Sequence, residues 1–276
     1  MGVRTSSPPR PGPWPRAWLP AGPVAAGLVA VALVAAACGG DDGTSTADAP
    51  GTSAAAEPVV DPGDGGRYEV GVSPADFVER IDNPYLPLLP GARWVYEAVE
   101  DGETERTEVV VTPESNEVFG VSAVVVRDTV SVDGEVVEDT YDWFAQDRDG
   151  NVWYLGEASQ DFEDGQPTST AGSWEAGVDG ALPGIVMPAA PAVGDAYRQE
   201  YYAGEAEDMA EVIDTGATAS VPSGEFDAVV VTEDWNPLEP EVIEHKYYAE
   251  GVGLVLEEKV AGAEGRSELI EFTPGT

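Results

Sequence analysis

From Trp94 to Phe272, apolar and polar side chains alternate in short runs bounded by Gly, Asp, Asn and Pro, the pattern of β-strands rather than helices. Trp94, Tyr96 and Ala98 alternate with Val95, Glu97 and Val99, and Asp101-Gly102 then closes a hairpin. Strands are predicted over 106–112 and 121–132, with Val124, Val126, Val130 and Val132 on one face. Asp133-Gly134 supplies a second hairpin turn. Next comes the most aromatic window of the chain, Tyr141, Trp143 and Phe144, then the turn 147–151, then Trp153 and Tyr154. Further strands are predicted over 197–202, 209–213, 226–233, 242–248, 254–260 and 267–272.

Two stretches depart from that pattern. Ser73-Pro74-Ala75-Asp76 has an N-cap residue, Pro at the first helical position and an acid in the first turn, so a short helix is expected near 73–81. Residues 158–195 are rich in Gly, Pro, Ser and Ala and are expected to form a long irregular loop. Asn83 to Gly91 holds three prolines and cannot be regular structure, so its leucines and Tyr85 should plug one end of the core. No internal repeat of 20–50 residues occurs. The fold class is therefore all-β: a single antiparallel meander, closed or half-open as a barrel.

The N-terminal residues follow other rules. Arg4, Arg10 and Arg16 precede Val24–Ala37, an uncharged run of 14 residues made of Val, Ala, Gly and Leu. A bilayer crossing needs about 20 residues, so 1–37 read as a signal peptide. The run ends Leu33-Val34-Ala35-Ala36-Ala37-Cys38-Gly39-Gly40, which resembles the lipobox of bacterial lipoproteins, with Ala35 where Leu is commoner. The resemblance implies acylation of Cys38, for instance with palmitate, and residence on the extracytoplasmic side of the cell membrane. Residues 38–66 carry almost no large apolar side chain and read as a disordered acidic tether, leaving 67–276 as one β domain. As a flexible coil the tether would span roughly 30 Å.

Charge and cysteine count narrow the possibilities further. The chain has 13 basic and 52 acidic residues, and no acid precedes Cys38. Such a body repels nucleic acid and anionic headgroups, which excludes nucleic-acid partners. A single cysteine excludes an intrachain disulfide, and a single histidine, His245, excludes a multi-histidine metal site.

Asn83-Pro84-Tyr85-Leu86-Pro87-Leu88 with Pro90-Gly91, Asp142-Trp143-Phe144-Ala145-Gln146-Asp147, Asp149-Gly150-Asn151-Val152-Trp153-Tyr154, Gly172-Ser173-Trp174-Glu175-Ala176-Gly177, Arg198-Gln199-Glu200-Tyr201-Tyr202, Gly204-Glu205-Ala206-Glu207-Asp208-Met209 and Glu244-His245-Lys246-Tyr247-Tyr248 resemble a family of exported bacterial proteins without an assigned activity. That likeness spans about residues 80–272 and implies one exported β domain. Val221-Pro222-Ser223-Gly224-Glu225-Phe226 and Gly251-Val252-Gly253-Leu254-Val255 are also similar to envelope lipoproteins with half-barrels of the LolA/LolB kind.

Candidate chemistry is sparse. Asp147, Asp149 and Asn151 resemble the start of a calcium loop, but Val152 and Ala158 stand where an EF-hand needs Gly and Glu. A plain hairpin turn explains the same residues. Glu205, Glu207, Asp208 and Glu211 gather carboxylates, and a carboxylate-dependent hydrolase would require two of them at a set separation. No Gly-x-Ser-x-Gly elbow or phosphate-binding glycine loop occurs. Trp153, Trp174 and Tyr201 are candidates to line a ligand cavity. The expected function is a membrane-anchored, non-enzymatic binding or structural module holding an apolar or peptidic ligand in a barrel mouth, with no cofactor. A calcium-stabilised surface module and a hydrolase are the alternatives.

Overall fold

Alternating side chains favour extended backbone, and 64% of the chain that can be described is strand. The computed structural model describes residues 68–100 and 103–276; the leader, Cys38, the tether and the Asp101-Gly102 turn lie outside them. Among the described residues there are sixteen strands: β1 (Phe77–Val78), β2 (Arg93–Glu100), β3 (Glu103–Val118), β4 (Val121–Val132), β5 (Glu135–Asp147), β6 (Val152–Glu163), β7 (Gln166–Ser169), β8 (Trp174–Glu175), β9 (Leu182–Met187), β10 (Ala196–Arg198), β11 (Glu200–Tyr201), β12 (Met209–Val221), β13 (Gly224–Trp235), β14 (Ile243–Ala249), β15 (Gly253–Ala261) and β16 (Gly265–Thr273).

All pairings are antiparallel, and thirteen strands form one path, β10-β12-β13-β14-β15-β16-β2-β3-β4-β5-β6-β9-β11. The end strands β10 and β11 are separated in sequence by Gln199 alone. The path therefore comes round on itself and nearly closes into a barrel, with one seam left unsealed. The all-β meander read from the alternation is the fold.

Turn chemistry sets the register where the sequence placed it. Asp133 and Gly134 both have positive φ, 52° and 84°, as a two-residue hairpin turn requires. Phe119-Gly120 does the same between β3 and β4, with an aromatic residue held at φ 54°.

Two expectations need correction. The helix over 73–81 is only a 3-10 turn, Pro74–Asp76. Its capping box is present, with Asp76 Oδ2 accepting the Ser73 N–H at 2.9 Å. Phe77 leaves it to pair with Asp147 and to set its ring edge-on against Trp153, and this packing outweighs weak helix propensity. Within the expected loop at 158–195, residues 158–163, Gln166–Ser169, Trp174–Glu175 and Leu182–Met187 are strand, and the remainder is irregular. Asp164-Gly165, at φ 51° and 71°, turns β6 back as β7, while β8 and β9 also pair with β6. Backbone pairing on a neighbouring strand needs no apolar alternation, so that stretch carried no strand signal.

Residues 81–92 close one end of the barrel, as the proline-rich stretch predicts. Ile81, Leu86, Leu88 and Ala92 are buried. Asn83 pins the plug: its Oδ1 accepts the Tyr85 N–H at 2.8 Å, and its Nδ2 donates to Gly150 O at 2.9 Å and Pro188 O at 3.1 Å. Pro84 O accepts from Gly251 at 2.7 Å, so the plug bridges the β5–β6 and β14–β15 turns. Beside it, Trp94 donates to Val252 O at 2.7 Å and Tyr96 to Leu254 O at 2.9 Å, and Phe144 stacks on Tyr154 with ring centroids 4.9 Å apart. Truncating one such buried leucine costs about 2–5 kcal/mol.

Closure at the seam depends on one missing side chain. A β-carbon on Gly184 of β9 would overlap the backbone carbonyls of Arg198 and Gln199. We expect Gly184→Ala to lose roughly 1–3 kcal/mol in urea denaturation, with faster amide exchange confined to 182–201. Unchanged exchange there would show that the contact does not hold the seam.

Candidate functional site

The same alternation that buries valine near the plug buries carboxylates toward the opposite end. On β4, Asp128 lies between Val126 and Val130 in the inward register, and on β5 Glu138, Thr140 and Asp142 occupy successive inward positions. Glu157 and Ser159 on β6, Thr232 and Asp234 on β13, Lys246 on β14 and Glu257 on β15 continue the pattern, and all are buried. Pairing makes these direct neighbours: Asp142 opposes Glu157, Thr140 opposes both Asp128 and Ser159, and Lys246 opposes Thr232 and Glu257. The barrel interior thus has an apolar half at the plug and an acidic half beyond it.

One wall of the acidic half is aromatic. The Tyr154 hydroxyl donates to Asp142 Oδ1 at 2.8 Å, and its ring meets Trp174 edge-on at 5.3 Å. Thr140 donates to Glu138 Oε1 at 2.8 Å. The other wall centres on Lys246, whose Nζ lies 3.1 Å from Asp234 Oδ2 and 3.9 Å from Glu244 Oε2. Asp234 also accepts from Gln199 Nε2 at 2.8 Å and from the Thr232 hydroxyl.

The seam crossing joins the two walls. Gln199 N–H donates to Asp208 O at 2.8 Å, and Glu200 follows with 1% of its surface exposed. Neither Glu200 carboxylate oxygen has a hydrogen-bond partner, nor do Glu244 Oε1, Glu257 Oε2 and the Tyr197 hydroxyl. Next to Glu200, the Arg198 guanidinium lies over the rings of Tyr201 and Tyr68 at 4.8 and 5.5 Å, and 3.8 Å from Glu207.

Burial sets the protonation of these groups. It raises Glu200 well above the usual carboxylate range, reinforced by the charges of Asp208 and Glu157. The Trp174 indole and the Asp208 backbone oppose this without making a hydrogen bond of normal geometry. Burial likewise raises Glu257, with Glu244 adding to the effect. Asp208, partly exposed at its surface, is pushed up to about 7, again by desolvation first, with Lys246 opposing and Glu244 and Asp234 adding. For Lys246, desolvation works against the charge, but Asp234, Glu257 and Glu244 outweigh it and raise the ammonium above its ordinary value.

The residues singled out from the sequence fall in separate places. Trp174 lies in the acidic half against Tyr154. Trp153 faces the other way on β6, packed on Phe77 and donating to Asp147 Oδ2 at 2.8 Å. Tyr201 sits at the seam beside Tyr68, 5.6 Å between ring centroids. In the 147–151 turn, Asp147 Oδ1 accepts from the Asp149 and Asn151 N–H groups at 2.9 Å each, and Oδ2 accepts from Asn151 Nδ2 at 2.8 Å. Asn151 Oδ1 accepts from Ala189 at 2.9 Å, so these side chains serve the hairpin. Among the described residues no three His, Cys, Asp or Glu side chains converge to hold a metal ion. His245 stands 3.4 Å from Glu233. Asp234 and Glu257 were not singled out from the sequence, and Glu200 and Lys246 entered only within the motifs that resemble the exported family. Their position signal was an ionisable residue in step with inward apolar positions.

No protein-family model and no curated protein matches the chain. Among solved structures it is similar to a protein of Bacteroides fragilis NCTC 9343 described as exported, with a YmcC-like fold. The identity is 16%, with 68% of this chain and 98% of that one covered, at a TM-score of 0.41. A protein of Parabacteroides distasonis ATCC 8503 described as a lipoprotein is 14% identical, with 69% and 99% covered, at a TM-score of 0.34.

Because Glu200 and Glu257 bind protons more tightly folded than unfolded, their protonation stabilises the barrel. That contribution is fully present below the unfolded carboxylate value of about 4 and is lost as pH rises through the raised folded values. Asp208 adds to the loss near pH 7. Urea denaturation is expected to show stability falling from pH 5 to pH 8 by at least about 1.4 kcal/mol, the worth of one tenfold change in proton affinity. Glu200→Gln should flatten that slope. Stability that rises over this range would contradict the assignment.

Proposed function

We propose that this chain is an exported lipoprotein, held on the extracytoplasmic face of the cell membrane by acyl groups on Cys38, and that its barrel is a non-enzymatic binding module. The anchor rests on the lipobox-like ending of the leader and on the tether composition that follows it. The binding role is carried by one observation: Glu200, buried on β11, has no donor of normal geometry on either carboxylate oxygen, and Glu257 Oε2 on β15 has none either. A barrel serving only as a spacer gains nothing from this, because an unsatisfied buried polar group costs about 1–3 kcal/mol. Buried, oriented and unspent polar groups are the usual signature of a ligand site.

The apolar end is filled by residues 81–92, so the acidic half is where a ligand enters. Its lining favours a ligand with polar or positive groups over a wholly apolar one. The chain's excess of acids keeps nucleic acid and anionic headgroups away, which suits a body tethered above a membrane rather than lying on it.

Cys38→Ala tests the anchor. The variant should lose incorporation of labelled palmitate and move from the membrane fraction to the soluble fraction. Equal membrane retention with no label in either protein would overturn the lipoprotein reading. Native mass spectrometry of the protein purified from its host tests the binding role. A discrete added mass that disappears in Glu200→Gln is expected, and bare protein in both would count against a captured ligand.

A further inference from the structure

Of the chain's two lysines, Lys246 is buried, at 6% exposure, in the middle of three adjacent strands. On one side its Nζ lies 3.1 Å from Asp234 Oδ2 of β13. On the other, Glu257 of β15 is its direct cross-strand partner. Side chains paired in this way have β-carbons about 4.5–5.5 Å apart, within easy reach of each other's end groups. Asp234 and Glu257 are 5% and 3% exposed, so little water reaches any of the three.

A simple ion pair accounts for Lys246 and Asp234, with Glu244 Oε2 at 3.9 Å as a second counter-ion. It does not account for Glu257. That acid is buried against a lysine whose charge is already balanced, and its Oε2 has no donor. Burial raises it well above the usual carboxylate range, with Glu244 adding and Lys246 opposing, so it favours its protonated form. The Asp234 carboxyl is meanwhile fixed at both oxygens. The Thr232 hydroxyl donates to Oδ1, and Gln199 Nε2 donates to Oδ2 at 2.8 Å. A primary amine, an oriented carboxyl and a neutral carboxylic acid in a dry interior are the parts needed to form an amide.

We propose that Lys246 and Asp234 join in an intramolecular isopeptide bond, with Glu257 as the proton relay. Glu257 passes its proton to the Asp234 carboxylate and takes one from the ammonium, which leaves a neutral amine beside a neutral acid. Nζ then bonds to Cγ of Asp234, and charge gathers on Oδ1 under the Thr232 hydroxyl. Glu257 carries a second proton from the nitrogen to Oδ2, the Cγ–Oδ2 bond breaks, and water departs. Ammonium and carboxylate become amide and one water, Glu257 ends as it began, and no further reactant is required. Two buried charges disappear in the product. Fixed side by side, the groups react as if at an effective concentration on the order of 10⁵ M or more. The bond would clamp β14 to β13 beside the crossing at Gln199, whatever the barrel binds.

Tryptic digestion of the full mature chain, unfolded in urea, followed by mass spectrometry tests this. No Lys or Arg lies between Arg198 and Lys246, and the next lysine is Lys259. An amidated Lys246 resists trypsin, so one peptide spanning 199–259 and lighter by one water is expected in place of 199–246 and 247–259. Fragmentation should place the link at Asp234. Glu257→Gln should slow its formation at least about a hundredfold while the far-ultraviolet circular dichroism stays that of a β-barrel. Ordinary cleavage after Lys246 with no loss of water would overturn the proposal. So would loss of water with Lys246 still cleaved, the mark of an aspartimide, or a link mapped to Glu244 or Glu257. The peptide readout needs only the unmodified chain, so it decides even if Glu257→Gln folds poorly.

Discussion

The near-closure of a single sheet on itself at Gln199 is the constraint on which the remaining architecture depends. Thirteen strands must return to their start, and the chain manages this by passing from β10 to β11 across one residue. Three features make that possible. Gly184 has no β-carbon to obstruct the crossing, the Gln199 backbone is held by Asp208, and its side chain is held by Asp234. The Asp208 hold is to its backbone carbonyl, and only the Asp234 hold is to a carboxylate. The seam is therefore tied to one of the buried acids of the interior.

That tie explains the division of the interior. The plug half buries Leu86, Leu88, Trp94, Tyr96 and Phe144 and supplies stability in the ordinary way, at about 25 cal/mol per Å² of apolar surface removed from water. The far half does the opposite, since taking a carboxylate out of water is unfavourable unless it is neutralised or paired. A protein with only the second kind of interior would not fold, and one with only the first would hold no ionisable groups inside. Placing the pinned plug at one end lets the strand ends at the other carry Asp128, Glu138 and Asp234 without loss of the barrel.

Most of the barrel was legible in the alternation of residues 94–272, and its plug in the three prolines of 83–91. Turns such as Asp133-Gly134 were readable because the backbone they require admits few residue types. The strands within 158–195 were not, because they pair through backbone atoms on β6 and need no side-chain pattern. The site was nearly invisible for a different reason. On a chain with 52 acids, one acid in an inward register looks like noise, and only the fold shows that Asp128, Asp142, Glu157 and Glu257 share a face. Asp147, readable as a calcium ligand or as a plain turn residue, accepts on its two oxygens from its own turn and from Trp153.

Exterior and interior acids also differ in what they can select. The surface charge raises the local concentration of any cation, but its field is screened beyond about 8 Å at physiological salt and discriminates little. Arg266 with Glu258 and Glu268, and Arg127 with Asp139, show how exposed acids on this barrel find ordinary partners on their own or neighbouring strands. Such exposed pairs contribute about 0–1 kcal/mol each. Inside, the effective dielectric is lower and the groups are fixed, so a mismatch in charge is felt more strongly. On the binding-module reading, selectivity therefore comes from the buried interior groups, and the outer charge does no more than concentrate cations near the barrel.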